Sequence, residues 1–283
     1  MSVILDGKQL ATERRNQVKD RVEILIEKYH VRPQLVVILI GHDMASETYV
    51  SGKEKACRKA GIESRVIRLE ESVSENKVME LISSLNQDKS VHGILLQLPI
   101  PKQLDPDKLM AAISPEKDVD GFTPTNVWRL ASGHPELVPC TPLGIMHILE
   151  KYEIGVEGKQ CVIIGRSQIV GKPMAQLLLN ANGTVTICHS KTRNLSSVAK
   201  TADILVVAIG KPKLVDDTYI KEGATVIDVG ISRTEGKLVG DVDFEKAVQK
   251  AGYITPVPGG VGPMTIACLL ENTISCYQKL VGE

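Results

Sequence analysis

Cys161-Val162-Ile163-Ile164-Gly165-Arg166-Ser167-Gln168-Ile169-Val170-Gly171 runs from four apolar residues into a turn bounded by glycines, and Met174-Ala175-Gln176-Leu177-Leu178-Leu179 continues it with a helical pattern. A buried strand that turns on glycine into a helix aims unpaired backbone N–H groups at whatever sits above the turn, which is where a pyrophosphate binds. The stretch departs from GxGxxG: Ser167 holds the second glycine place, and the last glycine falls six residues after the first. Alone it also fits two glycines that merely let a helix pack on a strand.

The following strand, Thr184-Val185-Thr186-Ile187-Cys188, leads into His189-Ser190-Lys191-Thr192-Arg193. An acidic residue here would hold the ribose 2′-OH of NAD, and none is present. Hydroxyl and cationic groups suit a 2′-phosphate, and Arg166 in the glycine turn adds a fork of donors with phosphate geometry. The cofactor read from these residues is NADP. Taken singly, Lys191 and Arg193 fit a solvated loop, and His189 fits a packing role.

With 283 residues the chain is long enough for two domains. Lys+Arg and Asp+Glu both total 34, so no net field draws it to nucleic acid or to an anionic membrane. Aromatic residues make up 3% of the chain, too few for base-stacking platforms. No apolar run approaches the ~18 residues of a membrane span. The cysteines (Cys57, Cys140, Cys161, Cys188, Cys268, Cys276) form no CxxC pair and sit mostly in apolar runs, as buried thiols of a reducing compartment do. A cytoplasmic protein without a bound metal is expected.

Val18, Val22, Leu25, Ile26 and Tyr29 recur at helical spacing and predict a helix over 8–29. Strands at 35–40, 64–69 and 93–96 alternate with helices near 43–60 and 74–86, which predicts a parallel sheet. Pro99, Pro101, Pro106, Pro115, Pro124, Pro135, Pro139 and Pro142 then break the rhythm and mark a boundary region. A helix at 142–152 opens a second series: strands 160–164, 184–188, 203–208 and 224–228, with helices 171–180 and 194–200. A rigid loop over 255–263 precedes a closing helix from Met264 to Leu280. The fold class is α/β with two domains, an N-terminal three-layer parallel-sheet domain closed by the C-terminal helix and a Rossmann-type NADP-binding domain. The expected boundaries are 1–120 plus 264–283 for the first domain and 121–263 for the second.

Tyr49 and Lys53 stand at i and i+4 of a predicted helix, so both side chains point the same way. Gln97 follows the strand Ile94-Leu95-Leu96 and projects from the carboxyl edge of the sheet, where open α/β sheets bind ligands. Asp118 and Asp120 lie in Lys117-Asp118-Val119-Asp120-Gly121-Phe122. Spacing alone leaves plainer readings open: Lys53 as one charge on a solvated face with Lys55, Arg58 and Lys59, Tyr49 as core, Asp118 as the cap of a turn.

Tyr49-Val50-Ser51-Gly52-Lys53, Gly93-Ile94-Leu95-Leu96-Gln97-Leu98-Pro99, Lys117 to Phe122, Pro139-Cys140-Thr141-Pro142, Gly165-Arg166-Ser167 with Ile169-Val170-Gly171-Lys172-Pro173, and Thr255-Pro256-Val257-Pro258-Gly259-Gly260-Val261-Gly262-Pro263-Met264-Thr265 occur in that order and span nearly the whole chain. Together they resemble the bifunctional methylenetetrahydrofolate dehydrogenase/methenyltetrahydrofolate cyclohydrolases. The resemblance implies NADP-dependent oxidation of methylenetetrahydrofolate and hydrolysis of the methenyl product to formyltetrahydrofolate, in one cleft between the domains.

It implies that Lys53 carries the proton of the second step, its ammonium disfavoured by a cationic substrate and by Lys55, with Gln97 orienting it. Tyr49 then stacks on the pterin or aminobenzoate portion and Asp120 accepts hydrogen bonds from the pterin. Pro258, Gly259 and Gly260 lie close to the folate. The implied cofactor contacts are Gly165, Arg166, Ser167, Ile169, Ser190 and Ile231, and the implied assembly is a homodimer through the edge of the second domain. The chain departs from the family pattern at Thr123, where many relatives carry histidine, and at Trp128, where glycine is expected. From the residues alone, an NADP-dependent dehydrogenase of another small substrate or a non-enzymatic nucleotide-binding protein also stays open.

Overall fold

Residues 2–234 and 236–282 are described by a computed structural model. In chain order the first part carries β1 (Val3–Ile4), α1 (Gly7–Tyr29), β2 (Gln34–Ile40), α2 (Met44–Lys59), β3 (Glu63–Leu69), α3 (Glu75–Gln87), β4 (Gly93–Leu96), α4 (Pro106–Ala111) and α5 (Pro124–Ala131). The rest carries α6 (Cys140–Lys151), β5 (Gln160–Ile164), α7 (Gly171–Asn180), β6 (Thr184–Cys188), α8 (Leu195–Ala199), β7 (Ile204–Val207), β8 (Thr225–Asp228), β9 (Ser232–Thr234), β10 (Lys237–Val239), α9 (Phe244–Ala247), β11 (Tyr253–Ile254) and α10 (Val261–Leu280). They form two compact units, Glu13–Cys140 with Ile266–Glu283, and Met1–Thr12 with Thr141–Thr265.

In the first of these units β2 is the centre of a parallel sheet ordered β3-β2-β4. Its residues Leu35 to Ile40 are all buried, because successive side chains point to opposite faces and both faces are covered. Val36, Ile38 and Ile40 pack with Val78, Ile82 and Leu85 of α3 and Leu109 of α4. On the other face Leu35 lies beside Gly93, and so does Thr273 of α10. The C-terminal helix thus closes the third layer, and its buried Tyr277 donates to Val31 O at 2.9 Å and meets His92 edge-on.

The other unit is a six-stranded, wholly parallel sheet ordered β1-β11-β8-β7-β5-β6. From β5 the chain moves outward to β6, then crosses back to β7 on the other side of β5. The strand order therefore reverses between β5 and β7, which is the point where open α/β sheets bind dinucleotides.

Against the expected 1–120 and 121–263 division, two stretches change sides. Val3 and Ile4 pair with Tyr253 and Ile254 as an edge strand of the six-stranded sheet, and residues 121–140 group with the three-stranded unit. The closing helix begins at Val261 rather than Met264, since Pro263 falls in its first turn, where a missing N–H leaves no bond unmade. The proline-rich segment is not merely a boundary: Pro106 and Pro124 start α4 and α5 behind the capping side chains of Asp105 and Thr123. Trp128 stands on regular helix in α5 and is 69% exposed, so it repacks nothing around it. All six cysteines are free and buried. Among the described residues no helix is long and apolar enough to cross a membrane.

Candidate active site and cofactor cradle

Asp43 starts α2 by accepting from Ser46 N at 2.8 Å and from Ser46 Oγ at 2.7 Å. One turn further, Tyr49 and Lys53 share a helix face. Tyr49 is 44% exposed, so its ring is available to a ligand and is not core. Lys53 is partly buried and its Nζ donates to Gln97 Oε1 at 2.9 Å. Lys55, two positions on, is turned about 200° around the helix and is exposed, so it does not join Lys53.

Gln97 continues β4 past its carboxyl end, its N–H donating to Ile38 O at 2.9 Å. Only 9% of it is exposed. Its amide group is fixed from both ends, Oε1 by Lys53 and Nε2 by Leu98 O at 2.6 Å. The ammonium is thereby held at the edge of the sheet by a side chain that cannot turn away.

The loop carrying Asp120 is held by Asp118 and by two groups that sequence reasoning did not single out, Lys117 and Asn272. Lys117 is buried, and its Nζ donates to Leu85 O at 3.1 Å, Asn86 O at 2.8 Å and Asp88 O at 2.7 Å. It thus satisfies carbonyls left open at the C-terminal end of α3. Asp118 accepts from Gly121 N at 2.9 Å, Thr123 N at 2.8 Å and Asn126 Nδ2 at 2.9 Å, so its capping role holds. Asn272 of α10 donates to Val119 O at 2.8 Å and Val138 O at 2.9 Å. Thr123 serves here as the buried cap of α5.

Asp120, two residues from Asp118, is left with little protein to bond: Cys140 Sγ stands 3.9 Å from its Oδ1. Burial pushes its carboxyl up to about 6; the charge of Lys53 pulls the other way, and that of Asp118 adds to the rise. A carboxylate short of partners within the field of Lys53 can accept N–H groups from a planar heterocycle.

In the six-stranded unit the glycines of the 165–171 turn are required by close approach. Gly165 has φ +132°, and a Cβ there would sit 2.2 Å from Ala208 O. One on Gly171 would sit 2.3 Å from Gly165 O. Ser167 Oγ accepts from Val170 N at 3.2 Å and Gly171 N at 3.3 Å, closing the turn ahead of α7. This is a cradle that a side chain would fill, and it lies at the reversal point of the sheet. Arg166, Ser167, Ile169 and Ser190 are all exposed along this edge, with Lys191 and Arg193 exposed beyond β6. His189 Nδ1 accepts from Lys191 N at 3.1 Å, a local packing role. Ile231 follows β8 and is 43% exposed. The donor set fits a dinucleotide bearing an extra phosphate.

Of the loop before α10, Pro258 is exposed and Gly259 adopts φ +110°. Gly260 is buried, and Gly7 packs so tightly on it that a Cβ at Gly7 would lie 1.9 Å from Gly260 O. Lys8 N donates to Gly259 O at 2.8 Å, so the head of α1 fixes the loop. Pro258 and Gly259 are the residues of this trio that present surface.

Two family models match. The catalytic domain of the tetrahydrofolate dehydrogenases/cyclohydrolases matches residues 5–120, and their NAD(P)-binding domain matches residues 139–281. The chain is 54% identical over 281 residues to the bifunctional protein FolD of Campylobacter concisus, covering 99% of each. It is 54% identical over 284 residues to that of Streptococcus uberis, covering 100% of each. Among solved structures it is similar to the FolD methylenetetrahydrofolate dehydrogenase/cyclohydrolase of Campylobacter jejuni, with a TM-score of 0.96, 50% identity and coverage of 99% of this chain and 100% of that one. The FolD enzyme of Trypanosoma brucei, solved with NADP cofactor and inhibitor, gives a TM-score of 0.95 at 37% identity, covering 100% of this chain and 99% of that one.

Proposed function

The chain belongs to the tetrahydrofolate dehydrogenase/cyclohydrolase family, and from that premise we propose how its residues divide two reactions. It oxidises methylenetetrahydrofolate to methenyltetrahydrofolate with NADP and hydrolyses the product to formyltetrahydrofolate. When bound, NADP takes up the hydride that leaves the one-carbon bridge. Lone pairs of the two nitrogens flanking that carbon drive the loss, so positioning supplies most of the catalysis.

Asp120 holds the pterin by its N–H groups, and Tyr49 covers a face of the folate. Pro258 and Gly259 line its approach, with the buried Gly260 setting the turn beneath them. Gly165, Arg166, Ser167, Ile169, Ser190 and Ile231 hold the cofactor, Arg166 and Ser190 at its 2′-phosphate. In the hydrolysis, water adds to the methenyl carbon and Lys53 Nζ, acting as the uncharged amine, takes a proton from it. The carbon–nitrogen bond on one side of that carbon then breaks as C=O forms, and the hydroxyl proton moves to the leaving nitrogen, relayed by Lys53. Gln97 keeps Nζ in reach through the 2.9 Å hydrogen bond, the observation that carries this assignment. We place the unit of Glu13–Cys140 with Ile266–Glu283 at the folate and that of Met1–Thr12 with Thr141–Thr265 at the cofactor.

Two copies pair, in this reading, through β6, the edge of the six-stranded sheet opposite β1, where Ile187 is exposed. The buried, unpaired thiols fit work in the reducing cytoplasm.

Lys53→Met tests the proton relay. Hydrolysis of methenyltetrahydrofolate, followed by its absorbance, is expected to fall by about 10²-fold or more. NADP-dependent oxidation should persist and let the methenyl compound accumulate. Full hydrolytic turnover in the variant would defeat the role given to Lys53.

A further inference from the structure

Two buried carboxylates at the carboxyl edge of the six-stranded sheet take no part in the chemistry above. Asp228 ends β8 with 3% exposure, and Asp241, just after β10, has none. Asp228 Oδ1 accepts from Gly230 N at 2.9 Å and Asp241 N at 3.0 Å, and its Oδ2 accepts from Val242 N at 2.9 Å. Asp241 Oδ2 accepts from Ile209 N at 2.7 Å and Gly210 N at 2.9 Å, directly past β7. Asp241 Oδ1 is buried and meets no donor.

The packing admits nothing else. A Cβ on Gly240 would lie 1.8 Å from Asp228 Oδ2, and one on Gly230 would lie 2.4 Å from Asp241 Oδ1. Two desolvated acids so close disfavour the fold unless the segments they tie together need that exact order.

Those segments are the loops after β7 and β8. Ala208 abuts the Gly165 turn, where the pyrophosphate belongs, and Ile231 follows Gly230. Were the adenosine end held at Ser190 past β6, the other end of the dinucleotide would extend toward β7 and β8, which lie on the opposite side of the reversal point. We propose that Asp241, backed by Asp228, is a positioning residue for the nicotinamide end of the cofactor: it sets the loops 208–210 and 229–231 against which that ring rests. The proposal rests on the NADP reading given above and goes beyond its contact residues.

The test uses the full chain and both activities. Asp241→Ala removes the acceptor of the Ile209 and Gly210 amides. A ring displaced by an ångström from its partner carbon loses rate by orders of magnitude, so kcat for oxidation is expected to fall and KM for NADP to rise, each about tenfold or more. Hydrolysis of methenyltetrahydrofolate, assayed without NADP, should stay within about twofold. Asp241→Asn keeps an oxygen for the two amides and should restore most of the oxidation. Asp241→Glu, with the charge kept and the oxygens moved by one methylene, should show the same split as alanine and serves if the alanine chain does not fold.

Parallel loss of both activities, or oxidation unchanged in the alanine and glutamate variants, would overturn the proposal. A failure of the cofactor reading itself looks different: the unmodified chain would then show no NADP-dependent oxidation.

Discussion

Asp120→Asn should make the protein more stable and a worse enzyme at once. The carboxyl is raised from 3.8 to about 6 in the fold, chiefly by burial. Between those two values the folded chain retains a proton that the unfolded chain gives up, so stability falls as pH rises through this window and stays lower above it. A rise of about two pKa units corresponds to about 3 kcal/mol at pH 7 and above. Asparagine keeps the shape without the charge, and because the rise is already net of the pull of Lys53, the variant gains about 2–3 kcal/mol. Urea unfolding followed by circular dichroism at pH 7.5 and pH 4.5 reads the difference, and about a third of the gain should remain at the lower pH. The same variant should bind folate more weakly and raise KM for both reactions. A variant no more stable than the parent at pH 7.5, or a gain that does not depend on pH, would refute the account of a desolvated, ligand-ready carboxylate.

Lys117→Met keeps the length of the side chain but removes the donor shared by the carbonyls of Leu85, Asn86 and Asp88, the last of which keeps Val91 N. Urea unfolding should register a loss of about 2–4 kcal/mol, with KM for folate raised because the Asp120 loop loses its strut. Gly165→Ala would set a methyl group 2.2 Å from Ala208 O at a φ of +132°. About 3 kcal/mol or more of stability should go, and titration calorimetry with NADP should show binding abolished.

Long apolar runs were legible: β2 and β5 are covered on both faces, and each reads as an unbroken hydrophobic stretch in the sequence. Val3–Ile4 and Tyr253–Ile254 are too short to carry a period, and only pairing makes them strands, the first with Tyr253–Ile254 and the second also with β8. The two carboxylates of 117–122 look alike on paper. One proves to be the scaffold and the other the displayed group, because Asp118 finds its donors among near neighbours while the Val119 carbonyl between them is held by Asn272, 153 residues on. Lys117 reads as a surface charge until the end of α3 is seen above it. Asp228 and Asp241 gave no signal, since an acid that grips backbone amides needs no partner side chain whose spacing could announce it. The Tyr49, Lys53 and Gln97 set was visible because a helix and a strand end have fixed periods, so residues four apart must share a face.

The six enclosed thiols give the chain a built-in clock for its own breathing. Cys161 and Cys188 sit in the unit built on the six-stranded sheet, and Cys57, Cys140, Cys268 and Cys276 in the other. An alkylating reagent can reach each sulfur only during a transient opening, so mass-resolved labelling over time reports the opening free energy of each unit separately. Saturating NADP should retard modification of the first pair, and a folate analogue that of the second group, with Cys140, beside Asp120, slowed the most.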